Sequence, residues 1–294
     1  MTETESDIWS QWILHKRHGD DPERLRSVLQ ELIPVRDRVL ANAKLAAGEL
    51  LLDVGCGDGL IAFGALQLTE GCQVVFSDVS EDILAHVRSI AQDMGFLDRS
   101  RFLKASADDL SDLESASVDV VTTRSVLIYV SDKQRAFNEF YRVLRPTGRL
   151  SIFEPINSYP FPGVANTFCG YDVAPVEEIA SKVRAIYQAI QPPETDPMLN
   201  FDERDLLAYP WQVGFSSVVL HLEVVAAPMP TGELANWEAF LRSSGNPKIP
   251  TVGDAIERAL TPEERTRFVA HLQPLVESRR GSRQSAVAYL WAKK

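Results

Sequence analysis

Two aspartates bracket a run of glycines. The run is Asp53-Val54-Gly55-Cys56-Gly57-Asp58-Gly59, and the second acid, Asp78, stands nineteen residues past Gly59. Glycines at alternate positions let backbone approach a ligand closely. A helix beginning near Leu60 would point its free N–H groups at the same place, where they favour a negative group. Asp53, two residues before the first glycine, favours a cationic ammonium and repels a pyrophosphate. A carboxylate at the end of the next strand accepts both hydroxyls of a ribose. The plainer alternative is a tight turn that needs glycine only for its own geometry.

A ligand with a ribose, a cationic amino-acid tail and no pyrophosphate has the constitution of S-adenosylmethionine. Gly57-Asp58-Gly59-Leu60-Ile61-Ala62 also satisfies GxGxxA, so a nicotinamide or flavin ligand stays open as a second reading.

The elements that hold these residues follow from periodicity. Apolar runs predict strands at 50–54, 73–77, 101–104, 118–122 and 149–153, with helices at 60–68, 81–93 and 133–144. Strands alternating with helices imply an α/β fold, a doubly wound, Rossmann-like, mostly parallel sheet. Right-handed crossovers bring the strand C-terminal ends to one rim, outside which ligands bind. Asp53, Asp78, the 105–110 loop, Arg124 and Glu154 all fall at such ends. Residues 1–46 read as an N-terminal helical cap, and Pro34 is expected to break or kink its helix before residue 35. The Rossmann-like core spans 47–154. Residues 155–200, rich in proline and aromatics with one helix at 176–190, read as an insertion or lid. Residues 201–294 return to the core with strands at 217–225 and 284–292 around a helical insertion at 228–280.

Residues 45–155 resemble the class I S-adenosylmethionine-dependent methyltransferases, in particular the small-molecule group that includes ubiquinone- and sterol-type enzymes. Asp53–Gly59 is similar to the family's first motif, and Asp78 with Val79 to its ribose-binding position. Ala107-Asp108-Asp109-Leu110 resembles the loop beside the adenine, with Asp108 placed for the amino group. The family often carries an acid where Ser106 stands. Arg124-Ser125-Val126-Leu127 resembles the segment after the fourth strand, and Tyr141–Gly148 the helix end and turn before the fifth. The resemblance implies a seven-stranded sheet whose last strand is antiparallel and lies beside the fifth. It also implies S-adenosylmethionine as cofactor, with S-adenosylhomocysteine as product. The implied cofactor set is Asp53, Gly55, Gly57, Gly59, Asp78, Val79, Ala107, Asp108 and Arg124.

A sulfonium methyl is already activated, so the protein need only hold a nucleophile in line and dry; a base helps if that nucleophile is protonated. Glu154 and Tyr129 are the catalytic candidates, and for Glu154 a local role of capping backbone or pairing with Arg124 stands beside that of a base. Trp9, Trp12, Asn157 and Tyr171 are candidates on the acceptor side. The segment after the fourth strand lacks the [DNS]PP[YF] with which amino-directed DNA methyltransferases hold a flipped base. The formal charge of −11 opposes broad nucleic-acid binding. A small-molecule acceptor, whether methylated on carbon, nitrogen or oxygen, is therefore the leading reading. An NAD(P)-dependent oxidoreductase and a non-catalytic cofactor-binding partner protein are the alternatives. Cys56, Cys72 and Cys169 show no metal-site spacing and fit a reducing compartment. The acidic N-terminus lacks signal-peptide character and no apolar stretch has membrane-span length, so the expectation is a cytoplasmic protein with no metal and no membrane partner. Either helical region offers a surface for a homodimer.

Overall fold

The computed structural model describes residues 7–13, 22–159, 166–229 and 236–294, apart from the side chains of 22–29 and 31. Strands β1 (Leu50–Val54), β2 (Gln73–Asp78), β3 (Ser100–Lys104), β4 (Val118–Arg124) and β5 (Leu144–Pro155) come first, and β6 (Thr167–Phe168) pairs with β7 (Tyr171–Asp172) in a separate hairpin. β8 (Ser217–Pro228) and β9 (Ser282–Lys293) complete a seven-stranded sheet in the order β3-β2-β1-β4-β5-β9-β8. Pairing is parallel from β3 through β5, and β9 runs antiparallel to β5, from Arg149 opposite Lys293 to Pro155 opposite Val287. The mostly parallel, doubly wound sheet with its antiparallel seventh strand matches the sequence reading.

Helix α1 (Ile8–Gln11) starts on Asp7, whose carboxylate accepts from the amides of Trp9 and Ser10. Helix α2 (Pro22–Ala43) continues through Pro34, so of the expected break or kink the break does not occur. The lost hydrogen bond and ring clash cost about 3 kcal/mol. Packing offsets that cost: Val39 is fully buried in a cluster with Ile61, Phe153 and Tyr289, which Val35 and Leu40 flank. Helices α3 (Leu60–Leu68), α4 (Glu81–Asp93) and α5 (Lys133–Val143) follow β1, β2 and β4. Ser80 and Asp132 cap α4 and α5 by accepting from Ile83 and Arg135 amides, which satisfies donors the helix itself cannot. β5 is longer than expected: it takes in Pro146-Thr147-Gly148, with a register irregularity opposite Val118–Val120.

After β5 come α6 (Glu177–Ile190), α7 (Glu203–Val213), α8 (Trp237–Arg242), α9 (Val252–Ala259) and α10 (Pro262–Glu277). Reciprocal capping boxes, Asp202 with Asp205 and Thr261 with Glu264, start α7 and α10. The β6–β7 hairpin was not legible in the sequence, because its turn residues Cys169-Gly170 begin with a type that seldom takes a left-handed backbone.

The chain divides into two compact units. A sheet unit comprises Glu31–Ser158, Pro197–Glu223 and Ala286–Lys294; a helical unit comprises the described residues of Met1–Gln30, Tyr159–Asp196 and Val224–Ser285. Among the described residues no helix is long and apolar enough to cross a membrane, and no group of three or more His, Cys, Asp or Glu is placed to hold a metal ion.

Candidate functional site

β1 is four apolar residues around one acid, and every position from Leu51 to Val54 is buried. The chain then needs a sharp exit into α3, and glycine supplies it. Gly55, Gly57 and Gly59 have φ of 62°, 52° and 82°, a region that L side chains seldom adopt. Space is as restrictive as φ. A Cβ on Gly55 would stand 2.4 Å from Val126 Cγ2, and one on Gly59 would stand 2.4 Å from Phe63 Cε2.

Asp78 closes this turn onto the end of β2. Its Oδ2 accepts from the Gly57 amide at 3.1 Å and its Oδ1 from the Ser80 amide at 3.0 Å. The Cys56 amide donates to the Ser77 carbonyl at 2.9 Å. Asp53 lies opposite Thr122 in the β1–β4 register and accepts its hydroxyl at 2.8 Å. Burial pushes the Asp53 carboxyl up to about 7, against the downward pull of Thr122, Arg124 and the Ala62 amide.

The turn after β4 is the second wall. Ser125 sits at φ 57° and donates its amide to the Phe153 carbonyl at 2.8 Å. Glu154, fully buried at the end of β5, holds the rest of that turn. Its Oε1 accepts from the Val126 and Leu127 amides at 2.8 and 3.0 Å and its Oε2 from the Ile128 amide at 3.3 Å, with the Thr123 hydroxyl at 3.4 Å. Burial pushes this carboxyl up to about 7 despite those donors. In this geometry Glu154 caps backbone, the local role read beside that of a base, and it does so without Arg124. Val126, presented by this cap, is the residue that crowds Gly55. Tyr129 is half-buried at the end of the short helical turn Leu127–Tyr129.

The loop after β3 begins with the Ala105 amide donating to the Asp78 carbonyl at 3.1 Å. Ala107 is buried, and the Ser106 hydroxyl holds the Asp108 carboxylate, so the residue standing where the family often has an acid binds one instead. Val79 leaves 43% of its surface exposed beside these groups, an apolar face at the strand rim. Asn157 donates to the Met198 carbonyl at 3.2 Å and ties the segment after β5 to residue 198. Thr122 completes this arrangement and carries no motif signal; the β1–β4 register is what would have found it, whereas Ser125 and Val126 lie in the segment read after the fourth strand.

Residues 52–152, from β1 into β5, match the family model described as a methyltransferase domain. Over that stretch the core is similar to methyltransferase domains. Its curated relatives include the ubiquinone/menaquinone biosynthesis C-methyltransferase UbiE of Marinomonas sp., 32% identical over 117 residues, 39% of this chain and 46% of that protein. The arsenite methyltransferase of Halobacterium salinarum is 32% identical over 124 residues, 42% of this chain and 31% of that protein. The tRNA 5-carboxymethoxyuridine methyltransferase of Escherichia coli is 31% identical over 117 residues, 40% and 43% of the two chains. The chain thus spans about half or less of the length of these relatives. Among solved structures, geranyl diphosphate methyltransferase in complex with S-adenosylmethionine superposes with a TM-score of 0.52 at 19% identity, over 94% of this chain and 93% of the other. The cyclase SpnF gives 0.54 at 18% identity, over 98% and 93%. At such identities the likeness is one of fold.

The fold places Asp53, the three glycines, Asp78, Val79, Ala107, Asp108, Arg124, Tyr129, Glu154 and Asn157 in the sheet unit. Trp9, Trp12 and Tyr171 belong to the helical unit. There Trp12 is buried and donates its indole N–H to the Ser244 carbonyl at 3.2 Å. Trp9 is half-buried on α1, and Tyr171, also buried, meets Phe240 edge-on with ring centroids 6.1 Å apart.

Proposed function

We propose that this chain is an S-adenosylmethionine-dependent methyltransferase acting on a small-molecule acceptor and releasing S-adenosylhomocysteine. One observation carries the reading: a turn of three left-handed glycines held between two buried carboxylates at the ends of adjacent parallel strands. Bare backbone suits the methionine part of the cofactor, and no Cβ fits at Gly55 or Gly59 without displacing a neighbour. Asp78 is assigned to the ribose hydroxyls, Val79 and Ala107 to the faces of the adenine, and Asp108 to its amino group. Arg124, whose charge already acts on Asp53, is assigned to the amino-acid carboxylate. Asp53 is 2% exposed, so it favours a cationic ammonium through the local field and through the turn it fixes. Two acids flanking the first glycines, Asp53 and Asp58, speak against a dinucleotide's pyrophosphate.

When bound, the cofactor supplies an electrophilic methyl group. Glu154 keeps the 125–128 turn in place, and Tyr129, presented by that turn, is the side chain assigned to orient the acceptor together with Asn157. Although one relative is named for tRNA, a net charge of −11 opposes broad binding of a polyanion, which favours a small acceptor.

Isothermal titration with S-adenosylhomocysteine tests the reading. Saturable binding to the wild type is expected, and its absence overturns the proposal. Asp78→Ala is expected to weaken that binding by about tenfold or more, since a buried acceptor is lost. Unchanged affinity would reject the ribose assignment.

A further inference from the structure

The helical unit has a core of its own, built on Phe168, Tyr171, Phe240 and Phe268 with aliphatic side chains from α6, α9 and α10. Within the same unit lies a cleft of ≈ 380 Å³ walled by Tyr171, Tyr187, Phe240, Met229, Ile249 and Val252. That volume falls in the range of small-molecule pockets, roughly 300–1,000 Å³. No lining residue is charged. A phosphate, carboxylate or ammonium entering it would lose its hydration and gain no counter-ion, so a neutral occupant is selected.

The polar atoms of the cleft narrow the ligand further. Ser243 and Ser244 already donate their hydroxyls to the loop around them, Ser243 to the Phe240 carbonyl at 2.7 Å and Ser244 to the Asn246 carbonyl at 2.6 Å. Tyr187 differs: its phenol has no hydrogen-bond partner among the described residues, and burial pushes its pKa up, so it stays a neutral donor. An aromatic wall ending in one uncommitted O–H matches a flat apolar body with one acceptor group.

Backbone hydrogen bonds fix another part of the cleft wall. Cys169 lines it from the β6–β7 turn at φ 49°, a conformation that costs a non-glycine residue on the order of 1 kcal/mol. Gly170 beside it accepts from the Ser282 amide at 2.8 Å, and a Cβ there would stand 2.2 Å from the Ser282 carbonyl oxygen. Met229 donates its amide to the Gly281 carbonyl at 3.0 Å. A pocket so fixed loses little freedom when a ligand enters.

We propose that this cleft binds a neutral, flat, largely apolar molecule carrying one hydroxyl or carbonyl group, with Tyr187 as its hydrogen-bonding partner. The site stands whether or not the core transfers a methyl group.

The probes are 2-naphthol, naphthalene and 2-naphthoate, titrated against the full chain by fluorescence. The wild type is expected to bind 2-naphthol saturably and at least about tenfold more tightly than the anionic naphthoate. Tyr187→Phe is expected to weaken 2-naphthol about fivefold, the worth of one hydrogen bond, and to leave naphthalene unchanged. Gly245→Leu fills the cleft from a position where a Cβ meets only Ile249 Cδ1, at an ordinary 3.7 Å, so the fold tolerates it. It is expected to abolish binding of both neutral probes while circular dichroism and the titration with S-adenosylhomocysteine stay as in the wild type. Absence of saturable 2-naphthol binding to the wild type overturns the proposal. So does binding that survives in a folded Gly245→Leu, or naphthoate binding as tight as naphthol.

Discussion

The sheet unit and the helical unit treat buried polar groups in opposite ways. The sheet unit buries three carboxylates, Asp53, Asp78 and Glu154, each no more than 6% exposed, and gives each of them amide or hydroxyl donors from a neighbouring strand or from turns at the strand ends. Among the described residues of the helical unit the buried polar ones are Ser10, Ser243, Ser244 and Asn246, which are neutral. Burying a charge costs several kcal/mol unless it is fully partnered, so acids are kept inside where turn geometry or a charged ligand demands them. The contrast fits a charged ligand at the proposed site of the sheet unit and a neutral one in the proposed cleft of the helical unit.

Changing Glu154 tests the first half of that comparison most severely. Glu154→Leu leaves three amides without an acceptor and should cost about 4 kcal/mol in urea unfolding. A loss below about 1 kcal/mol would mean that the 125–128 turn does not depend on the carboxylate. The next effect is one of pH. Asp53 and Glu154 ionise near 4 when unfolded and near 7 when folded, so the folded state holds their protons between those values and stability falls as pH rises. Glu49 and Glu139 are shifted the other way, so their stabilising charges are lost below that window. From pH 5 to 7.5 each raised carboxyl should remove about 2 kcal/mol. Thermal unfolding of Asp53→Asn beside the wild type isolates one of them, and equal slopes would reject it.

Gly55→Ala is expected to cost about 1–2 kcal/mol through both its φ and the contact with Val126. Adding Val126→Ala should restore part of this, because the clashing atom is then gone. Full additivity would place the strain in φ alone. The smallest effect lies in the helical unit. Cys169→Asn relieves the left-handed cysteine of the hairpin turn and should raise stability by about 0.5 kcal/mol. No gain would show that the thiol compensates for its own backbone.

These tests also separate what the sequence made legible from what it hid. β1 to β4 and α3 to α5 were readable because each is local, an apolar run or stripe closed by a cap such as Ser80 or Asp132. The acids at the strand ends could be placed for the same reason. Their partners could not. Thr122 meets Asp53 only through strand register, and the use Glu154 makes of its carboxylate depends on a turn formed by another strand's exit. Pro34 does not end its helix because a local breaker is outweighed by distant packing onto Phe153 and Tyr289. The helical unit draws on three separated stretches of chain, so its cleft has no contiguous pattern to read.

The position of β9 has a consequence for synthesis. It is the last sheet strand in chain order, yet it pairs with β5 inside the sheet. On the ribosome, β1 to β5 emerge with the outer edge of β5 bare, and that edge waits through the whole helical unit for its neighbour. An unpaired edge of this kind recruits other chains, and closing so long a loop slows the step that covers it. A nonsense change just before Ser282, which removes the strand that covers this edge, should yield aggregate rather than a smaller working domain.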